Sequence, residues 1–179
     1  MKHIVTLIVT LVTITINVFA QDWKASATEL IKKFETFRPT PYADVNKKAI
    51  GWGFNDKNLV DRGHMTEEEA NRILDGYVTS IGGYIDTQVK VPLTGNQKAA
   101  LVVFTYNVGM ANFASSTLLK KLNQRQYGSV PSEIQRWNKV KRVSKGKIVK
   151  DKNGKIVYDI APGLVKRRQA EPNLWNKAN

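Results

Sequence analysis

The sequence predicts an α+β fold that is mostly helical, with a small β segment and a larger helical C-terminal part. Three segments begin with a capping box, a Ser or Thr followed three residues later by Glu or Gln, and continue with apolar residues at helical spacing. The three boxes are Ser26 with Glu29, Thr66 with Glu69, and Thr94 with Gln97. Residues 41–59 are instead rich in Gly, Asn and Asp, a composition that favours turns and a small antiparallel sheet.

Residues 1–20 have the pattern of a secretory signal, with a basic N-terminal end, an apolar run and small residues before the expected cleavage site. The run from Ile4 to Ala20 is 17 residues long and contains four threonines and one asparagine, so it is short and only moderately hydrophobic for a permanent membrane span. We expect cleavage before Gln21, and the alternative is an uncleaved signal-anchor. Residues 21–179 then have the size of one domain, and we expect a monomer.

The composition excludes several kinds of chemistry. The 179 residues include no cysteine, so disulfides and thiolate metal sites are not possible. His64 is the only histidine beyond the signal, which argues against a histidine-clustered zinc site and a Ser-His-Asp triad. We therefore expect no metal and no cofactor, and proton transfer by carboxylates.

Two acidic residues lie around the end of the first predicted helix. Glu35 follows an amphipathic pattern that ends at Phe34, and a carboxyl beside aromatic surface is partly desolvated, which suits a general acid. Asp44 comes nine residues later, beyond Pro39 and Pro41, which favour extended chain. An acid at a helix end and a carboxylate on the following β segment can flank a bound sugar, as in glycosidases.

Three helices are predicted downstream of the β segment. The first should run from Thr66 to about Ser80 and be broken at Gly82 and Gly83, with a shorter segment through Val89. The second, which opens at Thr94, is apolar around nearly its whole circumference and ends at Gly109, so we expect it to be the core helix. The third covers residues 115–123.

The C-terminal third of the chain is strongly basic. Residues 120–179 hold 16 Lys and Arg against four Asp and Glu, which accounts for +12 of the net charge of +13. Within this region, residues 146–158 repeat Gly-Lys-Ile-Val around Asn153-Gly154 and predict a β-hairpin with a tight turn. Pro172 is expected to interrupt the final helix.

Several segments resemble the phage-type lysozymes, the endolysin muramidases of glycoside hydrolase family 24. They are the run 34–54 (FETFRPTPYADVNKKAIGWGF), MTEEEANRIL, VPLTGNQKAALVVFTYNVG, SSTLLKKLN and GLVKRRQAEPNLW. The resemblance implies a two-lobed lysozyme-like fold and cleavage of the β-1,4 bond between N-acetylmuramic acid and N-acetylglucosamine in peptidoglycan. It also implies the site residues: Glu35 and Asp44 as catalytic, with Asn55, Tyr106, Asn107 and Ser116 binding the glycan.

The β segment departs from the family pattern at two positions. Ala49 replaces a threonine whose hydroxyl helps to hold the attacking water, and Phe54 replaces a histidine. The spacing from Asp44 to Gly51 is also one residue shorter. We expect these changes to affect rate and mechanism rather than fold.

Two alternatives to a hydrolase remain open. A lytic transglycosylase cleaves the same bond with the sugar's own hydroxyl as nucleophile and needs no threonine at position 49. A catalytically weak, cationic wall-binding or membrane-active protein would use the basic third alone. That basic surface suits an anionic cell envelope as partner, whereas no nucleic-acid-binding motif accompanies it.

Overall fold

A computed structural model describes residues 23–44, 47–144 and 146–178, without the side chains of Asp44 and Lys47. The predicted signal at residues 1–20 lies outside the described residues. No helix in the described ranges is both long and apolar enough to cross a membrane.

The small lobe contains a two-stranded antiparallel hairpin between two helices. Its elements are α1 (23–34), β1 (Arg38–Asp44), β2 (Lys47–Gly51) and α2 (Lys57–Asp61). Two details differ from the prediction. Ser26 lies inside α1, which is already helical at residue 23, so it does not cap that helix. Residues 57–61 are helical rather than part of the sheet, because the Asp56 side chain accepts hydrogen bonds from the next backbone amides and starts a helix there.

The lobes are joined by α3 (Glu67–Gln88), whose first turn is capped by Thr66 as predicted. The predicted break at Gly82 and Gly83 is wrong, because the helix continues through both glycines. A Cβ added at Gly82 would lie 2.9 Å from Cζ3 and 3.0 Å from Cζ2 of Trp23. Gly82 therefore makes room for the α1 indole ring, and tertiary packing outweighs the low helix propensity of glycine.

The larger lobe is built around α4 (Gly95–Val108), the predicted core helix. Its capping box is formed in both directions, with Thr94 Oγ1 accepting from the Gln97 amide and the Gln97 side chain accepting from Thr94. Seven consecutive residues, 99–105, are buried, and Gly109 ends the helix at φ 88°. Around it lie α5 (Met110–Ala114), α6 (Thr117–Asn123), the 3-10 helix Tyr127–Ser129, α7 (Val130–Gln135) and α8 (Pro162–Trp175).

Four short strands connect α7 to α8: β3 (Lys139–Lys141), β4 (Val143–Ser144), β5 (Lys147–Ile148) and β6 (Tyr158–Ile160). Strand β3 pairs with β6 and β4 pairs with β5, all antiparallel. The predicted tight turn is present, since Asp151 Oδ1 accepts from the amides of Asn153 and Lys155 and Gly154 has a φ of 77°. The pairing differs from the predicted hairpin, because β5 pairs with β4 and the predicted turn is flanked by the isolated bridge between Lys150 and Ile156.

Pro172 does not interrupt the last helix, contrary to the prediction, because α8 runs through it to Trp175. Pro172 lacks the N–H that would bond to the fourth preceding carbonyl. However, Arg168, Glu171 and Trp175 on the same helix are all buried. Packing of α8 against α4 and α7 keeps the backbone helical despite the missing hydrogen bond.

Gly82→Ala should destabilise the protein, because the added methyl group collides with the Trp23 ring. Overpacking of this kind costs about 1 to 3 kcal/mol. Gly83→Ala is the matched control, since an added Cβ there meets nothing within 4 Å, and alanine in a helix interior is favoured over glycine by about 0.5 to 1 kcal/mol. Urea unfolding of both variants measures the difference, and equal effects would mean that Trp23 does not pack on Gly82.

Candidate active site

Glu35 lies at the C-terminal end of α1, where its amide donates to the Ile31 carbonyl at 2.9 Å. Its carboxylate forms an ion pair with Arg167 of α8, with Nη2 donating to Oε1. The side chains of Glu35 and Arg167 are only 20% and 8% exposed. The Arg167 guanidinium also lies 5.2 Å from the centre of the Phe34 ring. The setting is nevertheless charged rather than purely apolar.

Sequence reasoning missed the contact of Arg167 with Glu35. Arg167 is separated from Glu35 by 132 positions, so no local pattern links the two residues. The available signal was the pair Arg167-Arg168 within an otherwise helical, partly apolar segment, because two buried arginines require partners.

The β segment approaches Glu35 from the other side at Gly53. A Cβ added at Gly53 would lie 2.9 Å from Glu35 Oε2, and the residue has a φ of 87°. Only glycine fits this position comfortably, because any side chain would meet the carboxylate and strain the backbone. One carboxylate oxygen therefore contacts Arg167 and the other faces the β segment.

Asp44 ends β1, where its backbone pairs with Lys47. Its side chain lies outside the described residues, so its catalytic role stays a prediction. Ala49 pairs with Tyr42 across the hairpin and is fully buried. At this position of β2 there is a buried methyl group and no hydroxyl.

A cavity of about 210 Å³ lies between residues 53–55, which follow β2, and the helices α3 and α4. Its lining residues are Gly53, Phe54, Asn55, Tyr77, Ile81, Thr105, Tyr106, Gly109 and Met110. Two of the predicted glycan-binding residues, Asn55 and Tyr106, are therefore brought together here. Thr105 adds a buried hydroxyl that has no hydrogen-bond partner among the described residues.

Tyr106 connects the core helix to the β segment. Its hydroxyl donates to the Trp52 carbonyl at 2.8 Å, and its ring meets the Tyr77 ring edge-on at 6.4 Å. Burial, reinforced by the nearby negative charge of Glu35, raises the pKa of Tyr106 far above its ordinary value, so the hydroxyl stays a donor. Phe54 stacks on Tyr77 at 5.4 Å, so the residue at the family's histidine position packs as an aromatic.

Asn107 lies one residue further along α4 and does not line this cavity. Its side-chain oxygen accepts from Arg168 Nη2 at 2.6 Å. Arg168 and Glu171 are both buried. Arg168 Nη2 lies 3.1 Å from Glu171 Oε1, but the two groups are not aligned as a hydrogen bond. Burial raises the pKa of Glu171 to about 7 against the opposing effect of Arg168, and it lowers the pKa of Arg168 to about 10. Asn107 thus holds a buried charged group in place.

Ser116 caps helix α6 and is 7% exposed. Its hydroxyl donates to the Phe113 carbonyl at 2.7 Å and accepts from the Leu119 amide at 3.1 Å. Both hydrogen-bonding functions are used within the protein. Glycan binding by Ser116 therefore stays a prediction, as it does for Asn55, Tyr106 and Asn107.

A two-lobed, mostly helical fold with a glutamate at the end of the first helix is that of the lysozyme-type glycoside hydrolases. The sequence matches the model of the phage lysozyme family over residues 32–171. The chain belongs to the phage lysozyme family and is a peptidoglycan-degrading lysozyme. The predicted family and fold class are both confirmed.

Individual relatives agree with this assignment. The chain is 37% identical to an endolysin of Acyrthosiphon pisum secondary endosymbiont phage 1, over 83% of this chain and 94% of the relative. It is 30% identical to a SAR-endolysin of Bacteriophage PS119, over 80% and 78% of the two chains. Among solved structures, the muramidase domain of SpmX from Asticaccaulis excentricus superposes with a TM-score of 0.68 at 26% identity, covering 85% of this chain and 95% of that chain.

Tyr106→Phe should lower both the free energy of unfolding and the activity, because it removes the hydrogen bond that fixes Trp52 beside the cavity. The expected loss of stability is about 0.5 to 1.5 kcal/mol. Tyr127→Phe is the matched control, since its hydroxyl also donates to a backbone carbonyl at 2.8 Å, that of Pro92, away from the cavity lining. The free energy of unfolding should fall by a similar amount in both variants. The value of kcat/KM on peptidoglycan should fall only in Tyr106→Phe. Equal activities would show that the Trp52 contact does not shape the site.

Proposed function

We propose that Glu35 is the general acid that protonates the leaving oxygen of the β-1,4 bond between N-acetylmuramic acid and N-acetylglucosamine. The observation that carries this proposal is the position of its carboxylate, between Arg167 and Gly53 at the junction of the two lobes. Oε1 accepts a hydrogen bond from Arg167, so the proton to be transferred belongs on Oε2, on the side of the β segment. Arg167 would orient the acid and fix which of its oxygens reacts.

Asp44 is the second carboxylate of the proposal. It would act as the base that activates water, or stabilise the positive charge that develops on the sugar ring. Its support is the family resemblance together with the hairpin, which ends β1 at Asp44.

Transglycosylation is the second candidate reaction, and Ala49 is the observation that favours it. A missing hydroxyl removes one hydrogen bond to the attacking water, worth about 0.5 to 1.5 kcal/mol. At about 1.4 kcal/mol per factor of ten, hydrolysis would slow by roughly tenfold and not stop. Hydrolysis therefore stays the first candidate, and a reaction that uses the sugar's own hydroxyl is the alternative.

The protein is proposed to be exported through its N-terminal segment. The support is the short apolar run at residues 4–20, together with the similarity to a SAR-endolysin, a type in which a signal-anchor is released from the membrane. The basic C-terminal third would then attract the enzyme, as a monomer, to an anionic cell envelope.

Glu35→Gln should abolish cleavage while the protein stays folded, because the amide keeps the shape and can still accept from Arg167 but carries no acidic proton. General acid catalysis contributes about 10² to 10⁴ in rate. Glu29→Gln is the control, an exposed glutamate on the same helix that should have full activity. Turbidity loss of purified cell walls, with circular dichroism for folding, measures both. Substantial activity in Glu35→Gln would refute the assignment of the acid.

The exported protein should begin at Gln21, because the apolar run is too short and too rich in threonine to hold a stable span. N-terminal sequencing of protein recovered outside the cytoplasm tests this. A chain that begins at Met1 on membrane-associated material would instead indicate a signal-anchor.

Activity on whole cell walls should fall steeply between 0.1 M and 1 M salt, where the screening length shortens from about 10 Å to about 3 Å. Hydrolysis of a soluble, uncharged chitooligosaccharide is the control and should change little. Equal salt sensitivity on the two substrates would exclude electrostatic attraction by the basic third.

A further inference from the structure

The strands between α7 and α8 form an extension that the catalytic proposal does not use. We call residues 139–160 the basic ribbon. It contains eight Lys and Arg against two Asp. Both aspartates are engaged within the ribbon: Asp159 pairs with Arg142, and Asp151 accepts from backbone amides of its turn. Lys139 and Lys141 are exposed, and in the described part of the chain neither forms an ion pair.

The ribbon also exposes large apolar side chains. Of the seven large hydrophobic residues that are exposed in the described ranges, five belong to it: Val140, Val143, Ile148, Tyr158 and Ile160. Ile160 is 63% exposed and Tyr158 51%. Apolar exposure concentrated in one element, rather than scattered singly over the surface, is typical of an interaction site.

The strand register combines the two kinds of side chain on one face. Ile160 lies opposite Lys139, and Tyr158 lies opposite Lys141. Residues directly opposite in an antiparallel pair project from the same side, so lysines and apolar side chains alternate across this face. Val143 and Ile148 form a further exposed apolar pair in the adjoining strands.

We propose that the basic ribbon binds the surface of an anionic phospholipid bilayer. Lysines near such a surface are attracted to the anionic lipid headgroups. Tyrosine and aliphatic side chains add affinity by entering the interfacial region beside the headgroups. The segment at residues 4–20, through which export is proposed above, would bring the chain to a bilayer, so the ribbon and a membrane would meet.

Two other occupants fit the surface less well. An anionic wall polymer would be bound by the lysines alone and gives no reason to expose Tyr158 and Ile160. A second copy of the chain carries the same net charge of +13, and like charges oppose such pairing. The proposal does not depend on which residues catalyse glycan cleavage.

The absence of cysteine allows a local test in the full-length chain. Val143→Cys and Ser144→Cys each introduce a single thiol for an environment-sensitive fluorophore, at neighbouring positions that project from opposite faces of the strand. Vesicles of phosphatidylglycerol with phosphatidylcholine serve as the probe, and pure phosphatidylcholine vesicles as the uncharged reference. Because each signal reports on its own position, insertion of the N-terminal segment does not imitate it. Retained lysozyme activity verifies folding.

With anionic vesicles, the fluorescence emission of the label at position 143 should shift to shorter wavelength and become several-fold more intense. The emission of the label at position 144 should change little, and with the uncharged vesicles the emission of both labels should change little. Adding Lys139→Glu and Lys141→Glu should abolish the response at 143. No response at 143, or the same response at both positions, would overturn the proposal. The proposal would also be overturned if the Lys139→Glu, Lys141→Glu variant sedimented less with purified cell walls while no label responded to vesicles. A dimer that forms without vesicles and is lost on Ile160→Ser would overturn it as well.

Discussion

The ion pair between Glu35 and Arg167 is the constraint on which the proposed active site depends. It joins the end of the first helix to the last helix, across 132 positions of sequence. Burying two charges is costly unless they pair well, so the pair requires α1 and α8 to be held at a fixed separation. The packing of α8 on α4 provides that framework, and Tyr106 of α4 then fixes the β segment through the Trp52 carbonyl. Three remote parts of the chain thereby meet at one carboxylate.

The buried charged residues of α8 hold the helix in its orientation against α4 more than they stabilise the fold. Arg168 and Glu171 lie on the same helix, are almost completely buried and leave several polar atoms without hydrogen bonds among the described residues. A pair of this kind commonly contributes little net stabilisation. Its contact with Asn107 instead fixes the orientation of α8 against the end of α4. Consequently, the arginines at positions 167 and 168 are not part of the basic surface, which is formed chiefly by the ribbon.

The sequence was informative at several positions where local physics decides the structure. Capping at Thr94 and the all-round apolar pattern predicted α4, the Asn153-Gly154 turn predicted a hairpin, and the end of an amphipathic pattern placed Glu35. It was misleading wherever tertiary contacts outweigh local preference. Gly82 is required by the Trp23 ring and Pro172 is held in a buried helix, although both residues indicate a helix break. Arg167 could not be paired with Glu35, because nothing local connects positions so far apart.

The most direct test of acid-catalysed hydrolysis at this site is mass spectrometry of peptidoglycan digested in ¹⁸O-labelled water. Hydrolysis breaks the glycosidic bond and places one oxygen from water on the new reducing end, whereas transglycosylation forms an anhydro ring from the sugar's own hydroxyl. We expect reducing N-acetylmuramic acid ends that carry a single ¹⁸O. Unlabelled anhydro ends as the main product would contradict hydrolysis.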